Sequence, residues 1–164
     1  MEFIIRDATV KDAEGKGYVH YQAWNEAYTG LIDQAYLNSR TIERCVRVAK
    51  EHPQNTVVAV INERVVGFAS YLKSRDEDLP QAGEVMALYV LEDYYGLGIG
   101  KRLMEESYFK LSDYKTIIIW VLKTNVRAIG FYKKLGFEAD SKEKIHTLSN
   151  GASIDEIRMI KKIN

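Results

Sequence analysis

Three glycines alternate along one short stretch of the sequence, at positions 96, 98 and 100. They follow the apolar run EVMALYV, which predicts a strand, and they open a helical pattern over residues 100–111. The first N–H groups of a helix lack partners and carry partial positive charge. Glycines at that point permit positive φ angles and let an anion approach the backbone. The junction therefore predicts a phosphate-binding turn; the alternative is a glycine-rich turn without a ligand.

The spacing around these glycines excludes two common phosphate motifs. A dinucleotide-binding fingerprint that starts at Gly96 and Gly98 needs a third glycine at position 101, which is Lys101. A P-loop that ends in this Gly-Lys pair needs glycine at position 95 and Ser or Thr at position 102, which are Tyr95 and Arg102. Lys101 and Arg102 add local positive charge, either for an anion or as a solvated helix face.

A second stretch, TNVRAIGFYKKLGFE, predicts a short helix with polar groups on one face. Asn125, Ala128, Ile129 and Tyr132 share that face by the three-and-four spacing. The helix would present an amide at its start and a phenol two turns later. Each residue has an ordinary alternative: Asn125 is a favoured helix N-cap, and Tyr132 could pack in the core beside Phe131.

Periodicity along the whole chain predicts the order β-α-α-β-β-β-α-β-α-β-β. The first helical region begins at Thr9 or Asp12 and reaches about Tyr28, and the second covers about residues 34–51. TVVAVI and VVGFASYL form a hairpin around NER. The nearly apolar KTIIIWVL predicts a central strand covered on both faces. A final hairpin turns at Asn150-Gly151. The fold class is α/β with a mixed sheet of the α+β type, antiparallel at the front, with a parallel strand–helix–strand unit in the middle.

Composition narrows the class of protein. The 164 residues favour a single domain over 1–164, and the 23 basic and 23 acidic side chains cancel. A neutral chain without a basic stripe is not expected to bind nucleic acid or anionic membranes. Cys45, the single cysteine, excludes an intrachain disulfide and predicts a small buried hydrophobe. The absence of a signal peptide or bilayer-length apolar run predicts a cytoplasmic location, and the spacing of His20 and His52 predicts no metal site.

The stretch ALYVLEDYYGLGIGKRLM resembles motif A of the GNAT superfamily of N-acetyltransferases. The family pattern of Gln or Arg, two residues, glycine, one residue, then glycine or alanine falls on Tyr95, Gly98 and Gly100, with Tyr95 as the departure. The second stretch resembles the family's motif B, with Asn, Ala, Phe-Tyr and Gly-Phe in matching order. Two ordered motifs with a strand between them support the GNAT fold along nearly the whole chain.

The resemblance implies acetyl-CoA as co-substrate and direct transfer to an amine in a ternary complex. Backbone amides from Tyr95 to Lys101, with Gly96, Gly98 and Gly100 among them, would hold the pyrophosphate. Amides of Leu88 and Val90 and the side chain of Asn125 would contact the pantetheine and thioester. Tyr132 would stand near the sulfur as the general acid, since a phenol with a pKa near 10 is still protonated at neutral pH.

The general base is more open. Glu84 begins the strand EVMALYV, and period two places it on the same side as Met86 and Leu88. Histone-acetylating members of the family have a glutamate in the matching place that acts as base. A glutamate with a pKa of about 4.3 would need a raised pKa or a water relay. The alternatives are an edge carboxylate without a catalytic role and an amine deprotonated by bulk water.

The acceptor is expected to be a primary amine of a small molecule, polyamine-like or amino-acid-like, or of a peptide. Trp24, Tyr28 and Tyr36 with Glu26 would line an amine pocket, or form an ordinary core stripe. The run of three acidic residues at 76–78 would attract a cationic acceptor, or be a solvated loop. His146 would reach the site from the last hairpin, or lie on the surface.

A different class of function keeps the same cofactor site. A coenzyme-A-binding sensor or interaction module that has lost turnover would retain the glycine turn. Turnover of an amine, and its dependence on Tyr132, separates the two hypotheses. Related folds often pair their sheets, so a homodimer is compatible with either.

Overall fold

The computed structural model describes residues 1–163, which form one seven-stranded sheet and five α-helices. The strands are β1 (Ile4–Asp7), β2 (Thr56–Ile61), β3 (Arg64–Lys73), β4 (Gly83–Val90), β5 (Thr116–Leu122), β6 (Glu138–Thr147) and β7 (Ser153–Lys162). The helices are α1 (Ala13–Tyr28), α2 (Gln34–Ser39), α3 (Ile42–Glu51), α4 (Ile99–Lys110) and α5 (Val126–Lys134). Short 3-10 turns, Val10–Asp12 and Glu92–Tyr94, precede α1 and α4. The mixed α/β fold class is confirmed.

The one difference in element order lies in residues 34–51, where the predicted single helix is two helices, α2 and α3. The carboxylate of Asp33 accepts the amide N–H of Tyr36 at 3.1 Å and begins α2. The hydroxyl of Thr41 accepts the amide N–H of Arg44 at 3.2 Å and begins α3. Two capping residues within one polar segment therefore start two helices where apolar spacing alone suggested one.

The sheet has the order β1-β2-β3-β4-β5-β7-β6. Neighbouring strands are antiparallel except β4 and β5, which are parallel and joined through α4. The predicted parallel strand–helix–strand unit is thus present. The β2–β3 hairpin turns at Asn62 and Glu63, whose φ angles of 47° and 65° are those of the tight turns that suit strand twist.

Helices cover both faces of the sheet. Along β2, alternate side chains point to opposite faces: Val58 packs with Val19 of α1, whereas Val57 packs with Leu103 of α4. Within residues 1–163, none of the helices has the length and apolar character that crossing a bilayer requires.

The strand β5 separates the main core from a cavity. Ile117 and Ile119 pack against α4 and α5, together with Tyr132 and Phe137. On the opposite face, Trp120 and Leu122 line a cavity that α1 and the segments after it close from the other side. The central strand expected from its apolar sequence is therefore in place, but one of its faces borders the cavity.

Candidate active site

The strands β4 and β5 separate immediately after they meet. They pair only at Gly83 with Ile117 and at Glu84 with Ile118. The amide of Leu91 donates to the carbonyl of Val66 in β3 at 2.9 Å. Because N–H groups alternate in direction along a strand, the amides at positions 88 and 90 point away from β3, into the space that β5 has left. The two positions predicted to contact the thioester and pantetheine thus offer backbone donors to this gap.

A bulge in β4 interrupts the regular alternation of side chains that the sequence predicted for this strand. Register with β3 shifts at Met86, which is left without a partner between Val85 and Ala87. Beyond the bulge the side chains exchange faces. Leu88 packs toward α4 on the side of the main core, whereas Tyr89 joins Glu84 and Met86 at the cavity. The prediction that Leu88 shares a side with Glu84 was therefore wrong, since it assumed a regular strand.

The glycine junction forms a backbone cradle. Gly96 and Gly98 have φ angles of 80° and 81°, in the left-handed region that favours glycine. No atom lies within 4 Å of where a Cβ would stand at either position. The first helical hydrogen bond of α4 runs from Arg102 N–H to the Gly98 carbonyl at 3.1 Å, and within residues 1–163 the amides of 96–101 donate to no backbone carbonyl. Six consecutive N–H groups without a backbone acceptor, with open space at Gly96 and Gly98, fit an anion such as a diphosphate.

Tyr95 and Gly100 differ from the other cradle positions. The amide of Tyr95 already donates to the carbonyl of Glu92 at 3.0 Å, so it contributes no free donor. A Cβ at Gly100 would lie 3.2 Å from the ring of Phe131, so glycine there allows α4 to approach α5 closely. The guanidinium of Arg127, in the first turn of α5, lies 3.7 Å from the centre of the Tyr95 ring. The departure from the family's Gln or Arg at position 95 thus comes with a cation stacked on its ring.

Helix α5 begins after Asn125, as predicted. The side-chain amide of this residue has an oxygen that can cap the helix and a nitrogen that can donate to a ligand. The Asn125 side-chain oxygen accepts the amide N–H of Ala128 at 3.1 Å and caps the helix. Its side-chain nitrogen is not engaged in that cap.

Tyr132, two turns into α5, is 7% exposed and packs edge-on against Phe131 and Phe137. Burial raises the pKa of its phenol, and nearby Tyr28 and Tyr108 add to this effect. The phenol is therefore protonated at neutral pH, as a proton donor must be.

Glu84 lies at the floor of the cavity and is 1% exposed. Its carboxylate forms an ion pair with the Arg75 guanidinium, at 2.5 Å, and accepts the Arg75 amide at 3.4 Å. Burial of an unpaired carboxylate is costly, and the Arg75 guanidinium offsets that cost. The hydrogen bond to Glu84 also raises the pKa of Arg75.

The cavity has a volume of about 530 Å³, within the range of small-molecule sites. Trp24, Tyr28 and Tyr36 line it, and His146 reaches it from β6, as one alternative of the sequence analysis had it. The Tyr28 and Tyr89 hydroxyls lie 3.2 Å apart, and Trp24 meets the Tyr28 ring edge-on at 4.8 Å between centres. Burial raises the pKa of the Tyr89 phenol, and the buried indole N–H of Trp24 makes no hydrogen bond within residues 1–163.

Glu26 does not line this cavity. Its carboxylate accepts the amide N–H of Glu92 at 2.9 Å and the side-chain amide of Gln22 at 3.0 Å. It therefore fixes the turn before the cradle to α1.

The acidic run at 76–78 is also used within the protein. Arg158 of β7, 4% exposed, donates to Asp78 at 2.8 Å, to Asp76 at 2.9 Å and to Asp140 at 2.7 Å. Asp76 also accepts the indole N–H of Trp120 at 3.1 Å. Two of the three acidic residues are neutralised by one arginine, so the loop is not a free cation-binding surface.

His20 was missed as a cavity residue, because a single histidine on α1 carries no motif. Its ring stacks with Tyr89 at 5.9 Å and meets Phe68 and Trp24 edge-on. Burial, then the positive charges of Arg40 and Lys16, lower the pKa of His20 to about 4.

Cys45 is buried, as expected, and burial raises the pKa of its thiol. Within residues 1–163 no group of three or more His, Cys, Asp or Glu side chains is placed to hold a metal ion.

Comparison with known proteins agrees with this geometry. The model of the Acetyltransferase (GNAT) family matches residues 11–137. The chain is 28% identical over 133 residues to an uncharacterised N-acetyltransferase of Bacillus subtilis, covering 79% of this chain and 76% of that protein. It is 32% identical over 112 residues to one of Archaeoglobus fulgidus, covering 65% and 76% of the two chains.

Solved structures show the same fold. The PaiA N-acetyltransferase of Thermoplasma acidophilum, solved in complex with coenzyme A, matches with a TM-score of 0.73, 21% identity and 99% coverage of both chains. An acetyltransferase of Salmonella typhimurium, solved with acetyl-CoA, matches with a TM-score of 0.72 and 15% identity over 100% of this chain and 95% of the other. With the family model spanning most of the sequence, the chain belongs to the GNAT family and is an N-acetyltransferase that uses acetyl-CoA as co-substrate.

Proposed function

We propose that the protein transfers the acetyl group of acetyl-CoA directly to a primary amine while both substrates are bound. The observation that carries this proposal is the position of the β4–β5 gap. The cradle of free amides lies at the end of β4, and the cavity lies beside the start of the same strand. A donor held in the cradle and extended along β4 would bring its thioester toward Tyr132 and the cavity.

The donor is held by the backbone in this proposal. The amides of residues 96–101 bind the pyrophosphate, and the left-handed glycines keep the approach clear. The amides at positions 88 and 90 bind the pantetheine arm and the thioester oxygen, where charge develops during transfer. The Asn125 side-chain nitrogen, which the helix cap does not use, donates to the pantetheine arm.

Arg127 supplies the positive charge that an arginine at position 95 would bring. Family members carry Gln or Arg at the position of Tyr95. Here the Tyr95 ring supports the Arg127 guanidinium at 3.7 Å, beside the amides of the cradle. Stacking restricts a long side chain and so reduces the entropy lost on binding phosphate. We assign Arg127 to the pyrophosphate.

The transfer balances through Glu84 and Tyr132. The acceptor ammonium first loses one proton to solvent, and the neutral amine forms a C–N bond with the thioester carbon. The second N–H proton passes to Glu84, directly or through one water, as the C–S bond breaks. Tyr132 protonates the leaving sulfur and later regains its proton through solvent. The burial that raises the pKa of Tyr132 also raises that of a thiol in the same place, which keeps donor and acceptor matched.

Replacement of Tyr132 tests the proposal. We expect Tyr132→Phe to lower kcat about 100-fold, the usual contribution of a general acid, with the Kd for coenzyme A unchanged. Tyr108→Phe is the matched control, because its hydroxyl is also buried but lies in α4 and makes no hydrogen bond. Thiol release measures the rate and calorimetry measures binding.

Three results are informative. If Tyr132→Phe loses turnover and Tyr108→Phe keeps it, the assignment of Tyr132 as general acid is supported. Full kcat in that variant removes Tyr132 from the mechanism. Tight coenzyme A binding without turnover of any amine by the unaltered protein favours the silent binding module instead.

A further inference from the structure

The charged side chains around the cavity are unequally divided. The cations are Arg40, Arg44, Arg75 and Lys144, and the carboxylates are Glu84 and Glu156. Arg75 and Glu84 pair with each other at 2.5 Å. The remaining cations outnumber the remaining carboxylate, so the cavity does not suit an acceptor with several positive charges and no negative one.

Arg40 is the cation whose setting points to a ligand. It follows α2, is half-buried, and lies 4.3 Å from the centre of the Trp24 ring. Its protein hydrogen bonds are long: 3.4 Å to each of the His20 and Tyr21 carbonyls and 3.5 Å to the Cys45 sulfur. Among residues 1–163 it has no carboxylate partner within ion-pair distance. A partly desolvated guanidinium without a counter-ion is a site for an anion.

A second cation lies behind the cavity lining, close to His20 and Cys45. Lys16 of α1 is 8% exposed, and burial lowers the pKa of its ammonium. It also has no ion-pair partner within the described chain, and it lies close enough to act on His20 and Cys45, as Arg40 does. The part of the lining that contains Arg40 and Arg44, here called the cationic wall, therefore carries positive charge without a carboxylate partner among residues 1–163.

The same cavity also offers carboxylates for an ammonium group. Glu156 of β7 lines it together with Tyr28 and with the Arg75–Glu84 ion pair. Arg75 pairs with Glu84, whereas Glu156 has no ion-pair partner among residues 1–163. Lys144 stands across from Glu156 in the β6–β7 ladder, but its ammonium lies 4.0 Å over the Trp120 ring instead of on the carboxylate.

We propose that the acetyl acceptor is an α-amino acid with an apolar side chain; this inference rests on the proposed transfer to an amine. Its carboxylate binds Arg40, with Arg44 at the mouth. Its ammonium, on the same carbon as the carboxylate, faces Glu156 and Glu84, near Tyr132. Its side chain packs among the aromatic rings of the cavity, Trp24 among them. A polyamine would meet unpaired cations at Arg40 and Lys144, and a volume of about 530 Å³ accommodates a single amino acid beside the acetyl group.

Four amines of similar size separate the contributions: L-phenylalanine, L-phenylalaninamide, phenethylamine and spermidine. Thiol release with acetyl-CoA gives kcat/KM for each. We expect L-phenylalanine to exceed its amide about tenfold or more, the size expected of a charge-assisted hydrogen bond. Calorimetry of the coenzyme A complex with the acid and the amide measures the same preference without turnover.

Two variants assign the preference to the cationic wall. Arg40→Gln should bring the ratio of the two kcat/KM values close to one, and Arg44→Gln should reduce it less. Arg47→Gln is the matched control, an exposed arginine on α3 that does not line the cavity, and should keep the ratio. Thermal melting and coenzyme A affinity verify that the Arg40 variant is folded.

The outcomes for this inference and for the proposed function are distinguishable. If spermidine or the amide is acetylated as well as L-phenylalanine, the amino-acid inference is wrong and acetyl transfer stands. If the ratio is unchanged in both the Arg40 and Arg44 variants, the wall does not bind the carboxylate. If coenzyme A binds but no amine turns over, the proposed function fails, and the binding preference still decides whether the cavity selects an amino acid.

Discussion

Protonation of His20 opposes folding, and this gives a stability prediction with a defined pH range. The ring lies between Tyr89, Phe68 and Trp24, within 6.2 Å of each between ring centres. Burial first, then Arg40 and Lys16, lower its pKa from 6.5 to about 4. The unfolded chain therefore takes up a proton near pH 6.5, whereas the folded chain does so only near pH 4. The stability is fully present above pH 6.5 and is lost as the pH falls toward 4.

The magnitude follows from the separation of the two pKa values. Each pH unit between them is worth about 1.4 kcal/mol, so the whole interval corresponds to about 3 kcal/mol of unfolding free energy. By pH 5 the loss relative to pH 7 is about 2 kcal/mol. This is a large part of the 5–15 kcal/mol or so that separates most folded domains from their unfolded states.

Urea unfolding at pH 7, 6 and 5 measures the effect in three proteins. The control variant is His52→Gln, which replaces an exposed histidine at the end of α3. The unaltered chain and this control should both lose about 2 kcal/mol of unfolding free energy between pH 7 and pH 5. His20→Gln should lose much less over the same range, whatever its stability at pH 7. If His20→Gln keeps the full loss, or if the His20 ring titrates near pH 6.5 by NMR, the assigned burial and charge environment is wrong.

Three further predictions concern the cradle and the arginine cluster. Gly98→Ala should cost about 1–2 kcal/mol of stability because φ is left-handed, and should also weaken coenzyme A binding in calorimetry; Gly151→Ala, strained in the same way in the β6–β7 turn, should lose stability only. Arg127→Gln should raise the KM for acetyl-CoA about three- to tenfold and leave kcat unchanged, and an unchanged KM would remove the arginine from the phosphate site. Hydrogen bonding to Arg158 lowers the pKa of Asp78 from 3.8 to about 2. Its stabilising contribution is present above pH 4 and lost toward pH 2, so the difference in melting temperature between the unaltered chain and Asp78→Asn should shrink from pH 5 to pH 2.

Features determined by neighbouring residues could be predicted from the sequence. The β2–β3 turn at Asn62 and the cap at Asn125 depend on backbone geometry within a few residues, and both were found where expected. The glycine turn is of the same kind, since Gly96 and Gly98 adopt conformations that other residues rarely adopt.

Features determined by distant contacts could not be predicted in this way. The acidic run at 76–78 has the sequence of a solvated loop, but Arg158, 82 residues beyond Asp76, neutralises it. The exchange of sides after Met86 depends on the register with β3. His20 owes its environment to rings on β3 and β4, so nothing near it in the sequence marks it.

The early separation of β4 and β5 gives the sheet a mechanical weak point. Within residues 1–163, two ladder pairs join the ribbon of β1–β4 to the ribbon of β5–β7. If the acetyl donor lies along β4 as proposed, its hydrogen bonds to the free amides would link the two ribbons where the polypeptide does not. Donor binding would then stiffen the junction between the ribbons, and release of coenzyme A would loosen it.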